Sequence, residues 1–306
     1  MGLSEDVRSE LAAIDPRRPC CRLAELAALV RGAGSVHLRG KGRISLHLEV
    51  VSPAVARRAF ALLRSFGVQC EIRTYRPRAF ERASRFQLHL EDDARALQVL
   101  NEAGILDATL APRKRPPRRL VARRCCRTAY VRGAFLAAGS ASGPRNAHLE
   151  LRSADAGTAA FLTELLRDEG FPAGSYERAG HAVAYVKGLE TLAEVLAFLG
   201  AQESSLRLRE ESVVAATKAR ANRLANADHA NIVRVSRAAE VQLRAIRRLD
   251  EQGRLEKLAP ELREIARLRT RNPTLSLREL AARCRPPATK ASAQRRLARI
   301  TWLAER

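Results

Sequence analysis

"CCRLAELAALVRGAGS" at 20–35 and "CCRTAYVRGAFLAAGS" at 125–140 are nearly the same phrase, about a hundred residues apart. Each opens on a cysteine doublet, runs through small residues and closes on A-G-S. A repeat of this kind predicts two copies of one supersecondary unit, so the sequence on either side of each copy should match as well.

It does. "RISLHLEV" (43–50) and "NAHLELRS" (146–153) alternate apolar and polar residues. In the first, Ile44, Leu46, Leu48 and Val50 share one face and Ser45, His47 and Glu49 the other, which is the two-residue period of a strand. "PAVARRAFALLRSFG" (53–67) and "AGTAAFLTELLRDEG" (156–170) then read as helices leaving through glycine. Further strands follow, "RFQLHLE" (85–91) and "HAVAYVK" (181–187), and each copy closes on a helix, "ARALQVLNEAGI" or "LETLAEVLAFLGA". Each half is therefore helix, hairpin, helix, one or two strands, helix. Ala27, Ala28, Gly32, Ala33 and Gly34 in one opening helix, and Gly133, Ala134, Ala137, Ala138 and Gly139 in the other, allow two backbones to approach closely. These helices are expected to pack together on a pseudo-two-fold axis.

The 306 residues suffice for two or three domains with cores of their own, and an apolar fraction of 46% excludes a largely disordered chain. The net charge of +22 exceeds what solubility needs and points to a polyanionic partner, nucleic acid first. From Leu206 onward 24 Lys and Arg face 11 Asp and Glu, so +13 of that charge lies in the last third. No run of apolar residues is long enough to span a bilayer, and "MGLSEDVRSEL" is charged and helical in pattern. A cytoplasmic, nucleoid-associated protein without a membrane partner is expected. Three prolines in "APRKRPPRRLVARR" (111–124) mark a basic linker between the halves.

Read as nine-residue motifs, "LAALVRGAG" (26–34) and "VRGAFLAAG" (131–139) resemble the LAGLIDADG homing endonuclease fold. The closer resemblance is to the WhiA family of sporulation and cell-division regulators. "CCRTAYVRGAFLAAGS", "NRLANADHANI" (222–232) and "LREIARLRTRNPTLSLRELAARCRPPATKASAQRRLARI" (262–300) carry it, and it covers nearly the whole chain. In LAGLIDADG nucleases the eighth motif position of each copy is an acid, and the two acids together hold divalent metal for phosphodiester hydrolysis. Ala33 and Ala138 stand there in this chain, and a methyl group ligates nothing. The resemblance therefore implies the nuclease fold without nuclease chemistry, and no catalytic residue, metal or cofactor is assigned.

Two other metal readings are weighed on the residues. His47 with Glu49, and His148 with Glu150, make a symmetric pair of H-x-E steps, which the two-residue period also explains as ordinary polar strand positions. Of the six cysteines, four form adjacent doublets, Cys20 with Cys21 and Cys125 with Cys126, and no C-x-x-C spacing occurs. Neighbours rarely bridge each other, so neither a disulfide framework nor a zinc site follows, and reduced, partly buried thiols are expected.

The C-terminal third reads as a long helix, with a break expected near Asn226 to Asp228, followed by three shorter ones. Asn222, Arg223, Asn226 and Asn231 are read as solvated positions on the long helix. Ser276 with Glu279 forms a capping box, "RPP" forces a turn, and Thr289 or Ser292 caps the last helix. A helix, a short turn and a basic helix make a helix-turn-helix, whose second helix enters the major groove. Leu297, Ile300 and Ala293 face inward by their spacing. The candidate DNA-contacting residues are Ser276, Arg278, Thr289, Lys290, Ser292, Gln294, Arg295, Arg296 and Arg299, where Arg reads guanine and Gln reads adenine. Arg296 is open between clamping phosphate and packing on a neighbouring helix. In the repeats, Arg39, Lys41, Arg43 and Arg152 flank the hairpins as phosphate contacts.

The expected architecture is α+β: a first LAGLIDADG-like repeat at 1–110, the linker at 111–124, a second repeat at 125–205, a linking helical segment at 206–253 and an all-α helix-turn-helix domain at 254–306. The expected function is that of a non-enzymatic, sequence-specific regulator bound to double-stranded DNA, with RNA polymerase or a sigma factor as a further partner and monomeric binding compatible with the sequence. A residual metal-dependent nuclease and a non-specific architectural protein are the alternatives.

Overall fold

The computed structural model describes residues 2–38, 44–76, 84–90, 94–178 and 180–306, which form two compact units, Met1–Ala215 and Ala216–Arg306. The first unit begins with α1 (Leu3–Ala12) and then presents the repeat. The first copy comprises α2 (Pro19–Ala33), β1 (Gly34–Leu38), β2 (Ile44–Val50), α3 (Pro53–Ser65), β3 (Glu71–Tyr75), β4 (Arg85–Leu90) and α4 (Ala94–Glu102). The second comprises α5 (Arg124–Ala138), β5 (Gly139–Ser142), β6 (His148–Ser153), α6 (Ala156–Asp168), β7 (Ala173–Arg178), β8 (His181–Lys187) and α7 (Leu189–Leu199).

Both copies build an antiparallel four-stranded sheet with the same crossed order, β1-β2-β4-β3 and β5-β6-β8-β7. The alternation seen in the sequence decides which face is covered. Leu46, Leu48, Val50, Leu88 and Leu90 are buried in the first sheet, and Leu149, Leu151, Ala184 and Val186 in the second. Removing each Leu or Val from water is worth roughly 1.5–3 kcal/mol, which fixes the register, because a one-residue slip would turn the whole set outward.

The opening helices α2 and α5 lie against each other as the small residues predict. A Cβ on Gly32 would stand 2.6 Å from the Ala137 methyl, and one on Gly133 would stand 2.3 Å from the Glu25 carbonyl oxygen and 3.0 Å from the Ala28 methyl. Gly32 and Ala137, like Ala28 and Gly133, hold equivalent positions in the two copies. Equivalent residues thus meet each other, as an axis of two-fold symmetry between parallel helices requires.

One feature breaks that symmetry. Glu25 is fully buried in the seam, where its carboxylate accepts Nε of Arg58 at 2.7 Å and Nε of Arg132 at 2.9 Å. Arg132 also donates to the Leu199 carbonyl at 2.9 Å, and Arg58 reaches Asp15 at 3.2 Å. The positions equivalent to Glu25 and Arg132 are Tyr130 and Ala27, so this ion pair ties the halves together only once.

The Pro-rich segment 111–124 is more than a linker. Pro117 packs so tightly on Gly104 that a Cβ there would meet its ring at 2.2 Å, and a short 3₁₀ turn, Arg118–Val121, buries Leu120 and Val121 in the core. Proline prevents a regular helix here without preventing burial. The cysteines are free thiols, Cys21 and Cys126 buried and Cys20 and Cys125 half-buried, and the fold brings both doublets together, with the Sγ atoms of Cys20, Cys21, Cys125 and Cys126 all within 4.8 Å of one another.

The long helix α8 (Gln202–Glu251) starts in the first unit, where the Glu10 carboxylate accepts the backbone N–H groups of Glu203 and Ser204 at 2.8 and 2.9 Å. No break occurs at Asn226–Asp228. Asn and Asp cost a helix only a few tenths of a kcal/mol each, and no Gly or Pro interrupts these fifty residues. In the second unit the end of α8 joins α9 (Pro260–Arg271), α10 (Leu277–Arg283) and α11 (Lys290–Ala304) around Ile246, Leu249, Ile265, Leu280, Leu297 and Ile300.

Candidate nucleic-acid interface

The second unit presents a helix pair of fixed geometry. Ser276 accepts the N–H of Glu279 at 3.3 Å while the Glu279 carboxylate accepts the N–H of Ser276 at 2.8 Å, a complete capping box at the start of α10. The hydrogen bonds from Ser276 hold the Glu279 carboxyl below the usual carboxylate range. Arg269 is 1% exposed and donates to the Leu275 carbonyl at 2.6 Å, so an arginine of α9 fastens the turn into α10. Arg283 secures the same turn through Asn272 at 2.7 Å, and Glu264 accepts the N–H of Arg285 at 2.7 Å in the next turn. Thr289 is the cap of α11, accepting the N–H of Ser292 at 3.2 Å.

With both turns fixed, α11 is oriented by Ala293, Leu297, Ile300 and Ala304, all buried. Its outer side leaves Thr289, Lys290, Gln294, Arg295 and Arg299 exposed, with Arg278 exposed on α10, while Ser276 and Ser292 are half-buried. The structure divides the expected set. Ser276 and Thr289 are caps whose hydroxyls accept backbone N–H groups. Arg296 turns inward to Glu261 on α9 at 3.0 Å and packs rather than projecting with its neighbours. Arg299 lies 4.0 Å over the Trp302 ring, with Arg306 at 4.1 Å from the same ring, which stiffens its long side chain. Lys290, Gln294 and Arg295 remain outward along the first turns.

In the first unit the polar faces of the sheets point away from the helices. Arg152 is exposed there, beside Val183 in the strand register, and Tyr185 and Lys187 pair with Glu150 and His148. Arg39, Lys41 and Arg43 lie outside the described residues. The H-x-E steps do not converge as two like sites. His47 lies between His37 and His89 in edge-to-face contacts, with ring centres 5.2 and 4.5 Å away, whereas Nδ1 of His148 contacts the Asn146 carbonyl at 2.7 Å. Glu49 pairs with Arg85 at 3.5 Å and Glu150 accepts the Tyr176 hydroxyl at 2.9 Å.

Ala33 and Ala138 end α2 and α5, each followed by a glycine whose backbone turns straight into a strand. A Cβ on Gly34 would meet the Val30 carbonyl oxygen at 2.4 Å, and one on Gly139 would meet Phe135 Cα at 2.6 Å, so the glycines serve the turn. Beside Ala138 a guanidinium is already present: Arg8 of α1 donates to the Gly139 carbonyl at 2.6 Å.

Comparison with known proteins follows this division of the chain. Residues 19–106 match the WhiA N-terminal LAGLIDADG-like domain, 127–218 the WhiA LAGLIDADG-like domain and 221–304 the WhiA C-terminal HTH domain. Over its whole length the chain is 37% identical to the probable cell division protein WhiA of Heliobacterium modesticaldum and covers 96% of it. The chain belongs to the WhiA family. The corresponding WhiA of Symbiobacterium thermophilum is 36% identical, with all of this chain and 98% of that one aligned. The crystal structure of full-length DUF199/WhiA from Thermatoga maritima matches with a TM-score of 0.58 at 25% identity, covering 100% of this chain and 98% of that one. A structure of the N-terminal LAGLIDADG domain of DUF199/WhiA matches 64% of this chain and 89% of its own, with a TM-score of 0.51 at 18% identity, a likeness of fold. Among the described residues no helix is long and apolar enough to cross a membrane.

Proposed function

We propose that this member of the WhiA family is a sequence-specific DNA-binding regulator of transcription that controls cell-division or sporulation genes and does not cut DNA. The observation that carries the reading is the outer side of α11, where Lys290, Gln294 and Arg295 project from a helix whose cap, turns and buried side are all fixed. Gln offers a bidentate match to adenine and Arg to guanine, and both need a rigid helix to present them in register. The repeat domain adds sequence-independent affinity through the polar faces of its sheets, Arg152 among them. The nuclease reading lacks both carboxylates, with Ala33 and Ala138 at the positions where the motif carries acids. The net charge of +22 suits a location on the nucleoid, with RNA polymerase or a sigma factor as the protein partner of such a regulator.

The test is footprinting of the full chain on genomic fragments with competitor DNA at about 150 mM salt, near the physiological ionic strength at which exposed charges are well screened. Discrete protected sites support the proposal. Uniform protection makes the protein architectural, and cleavage of supercoiled plasmid that needs Mg²⁺ or Mn²⁺ and stops with EDTA makes it a nuclease. Titrating salt from 50 to 200 mM should weaken binding by roughly 10³ to 10⁵ fold if six to ten phosphates are neutralised.

A further inference from the structure

The two cysteine doublets sit in the first turns of α2 and α5, at the opposite end of the helix pair from Ala33 and Ala138. Because the helices run parallel about the pseudo-two-fold axis, equivalent residues converge there as Ala28 and Gly133 do further along. Cys21 and Cys126 are buried, while Cys20 and Cys125 are half-buried and reachable from solvent. Each Sγ lies within 4.8 Å of the other three.

We propose that Cys20, Cys21, Cys125 and Cys126 together bind one zinc ion on the axis between the repeats. A tetrahedral site with Zn–S bonds of about 2.3 Å has sulfur–sulfur edges of about 3.8 Å, so four sulfurs already mutual neighbours reach it by small rotamer shifts. A four-iron cluster would hold its thiolates further apart, with the metal cube between them. A disulfide needs only two sulfurs in contact and gives no reason for all four to be neighbours.

The surroundings suit the charge. A zinc tetrathiolate is doubly negative, and here it meets the positive ends of two helices. The residues preceding those helices, Arg18 and Arg123, make no side-chain cap, and neither first turn contains an acid. Arg18 Nη1 also lies 3.8 Å from Cys125 Sγ, a cation held beside the sulfur. The half-buried pair provides the entry path, and the ion would link the repeats across the axis. This assignment is independent of whether the chain binds DNA.

The full chain, purified under reducing conditions, should contain one zinc per molecule by elemental analysis. Exchange with Co²⁺ should give the thiolate charge-transfer and intense visible bands of a tetrahedral sulfur site, and chelation should lower Tm. The double variant C20S/C125S should retain its circular dichroism and bind zinc at least tenfold more weakly. Should that variant fail to fold, alkylation of the wild-type chain is decisive: added zinc should protect all four cysteines while Cys70 reacts unchanged. Absence of zinc and of the cobalt bands after remetallation, equal affinity in the folded variant, or unprotected thiols would each overturn the proposal. So would iron in place of zinc, or a Cys21–Cys125 cross-link in protein isolated without air.

Discussion

The two units carry their positive charge in different ways. The first has a net charge of +9 over residues 1–215, and several of its arginines are taken up by the fold: Arg58 and Arg132 buried on Glu25, and the half-buried Arg31 on the Gly104 and Arg113 carbonyls and Arg8 on Gly139. The second concentrates 22 Lys and Arg against 9 Asp and Glu in residues 216–306, and leaves the outer side of α11 exposed. Basic composition alone therefore says little about which arginine meets a polyanion. Even in the second unit, Arg269, Arg283 and Arg296 serve the fold.

That contrast can be tested in order of expected effect. Gly133→Val drives a branched side chain into the Glu25 backbone, and should cost about 3 kcal/mol or more or prevent folding of the first unit, measured by urea denaturation. Arg132→Met leaves the buried Glu25 with Arg58 alone and should cost about 3 kcal/mol by the same measurement, without changing which bases are protected in a footprint. Arg295→Ala should do the reverse. We expect specific binding to weaken roughly 10-fold to 100-fold with Tm unchanged, and full specific affinity in this variant would remove the residue from the readout.

Arg296→Ala sharpens the comparison further, because its neighbour in sequence is Arg295. Its pair with Glu261 is partly exposed, so stability should fall by less than about 1 kcal/mol and the footprint should persist. A lost footprint would return Arg296 to the DNA-contacting set. Ala138→Asp should have the smallest effect on function: a single acid at the end of α5, with no second acid at Ala33, should yield no cleavage of plasmid in Mg²⁺ or Mn²⁺.

Much of the architecture is legible in the residues because it depends on local period. The alternation of Leu46, Leu48 and Val50 gave the strand and its buried face, the spacing of Ala293, Leu297 and Ile300 gave the inward side of α11, and Ser276 with Glu279 marked the start of α10. The expected break at Asn226 failed because weak helix formers do not interrupt a helix that contains no Gly or Pro. Arg296 could not be separated from Arg295 by composition, since adjacent helical residues point about 100° apart and their partners lie on other elements. Arg269 was missed for the same reason: nothing in its own segment shows that the Leu275 carbonyl needs a donor.

The sequence by itself determined that this chain is built twice over and then extended by helices, because periodicity, caps and small-residue spacing act over a few residues. Only the tertiary structure decided what the doubled phrase does at its two ends. Four thiols meet at one end, and a buried Glu25 takes one arginine from each repeat along the way. At the other, each helix ends on an alanine and a glycine that turns straight into a strand, and Arg8 of α1 donates to the Gly139 carbonyl. The two thiol doublets come from segments about a hundred residues apart, and only the packing of α2 on α5 makes them neighbours.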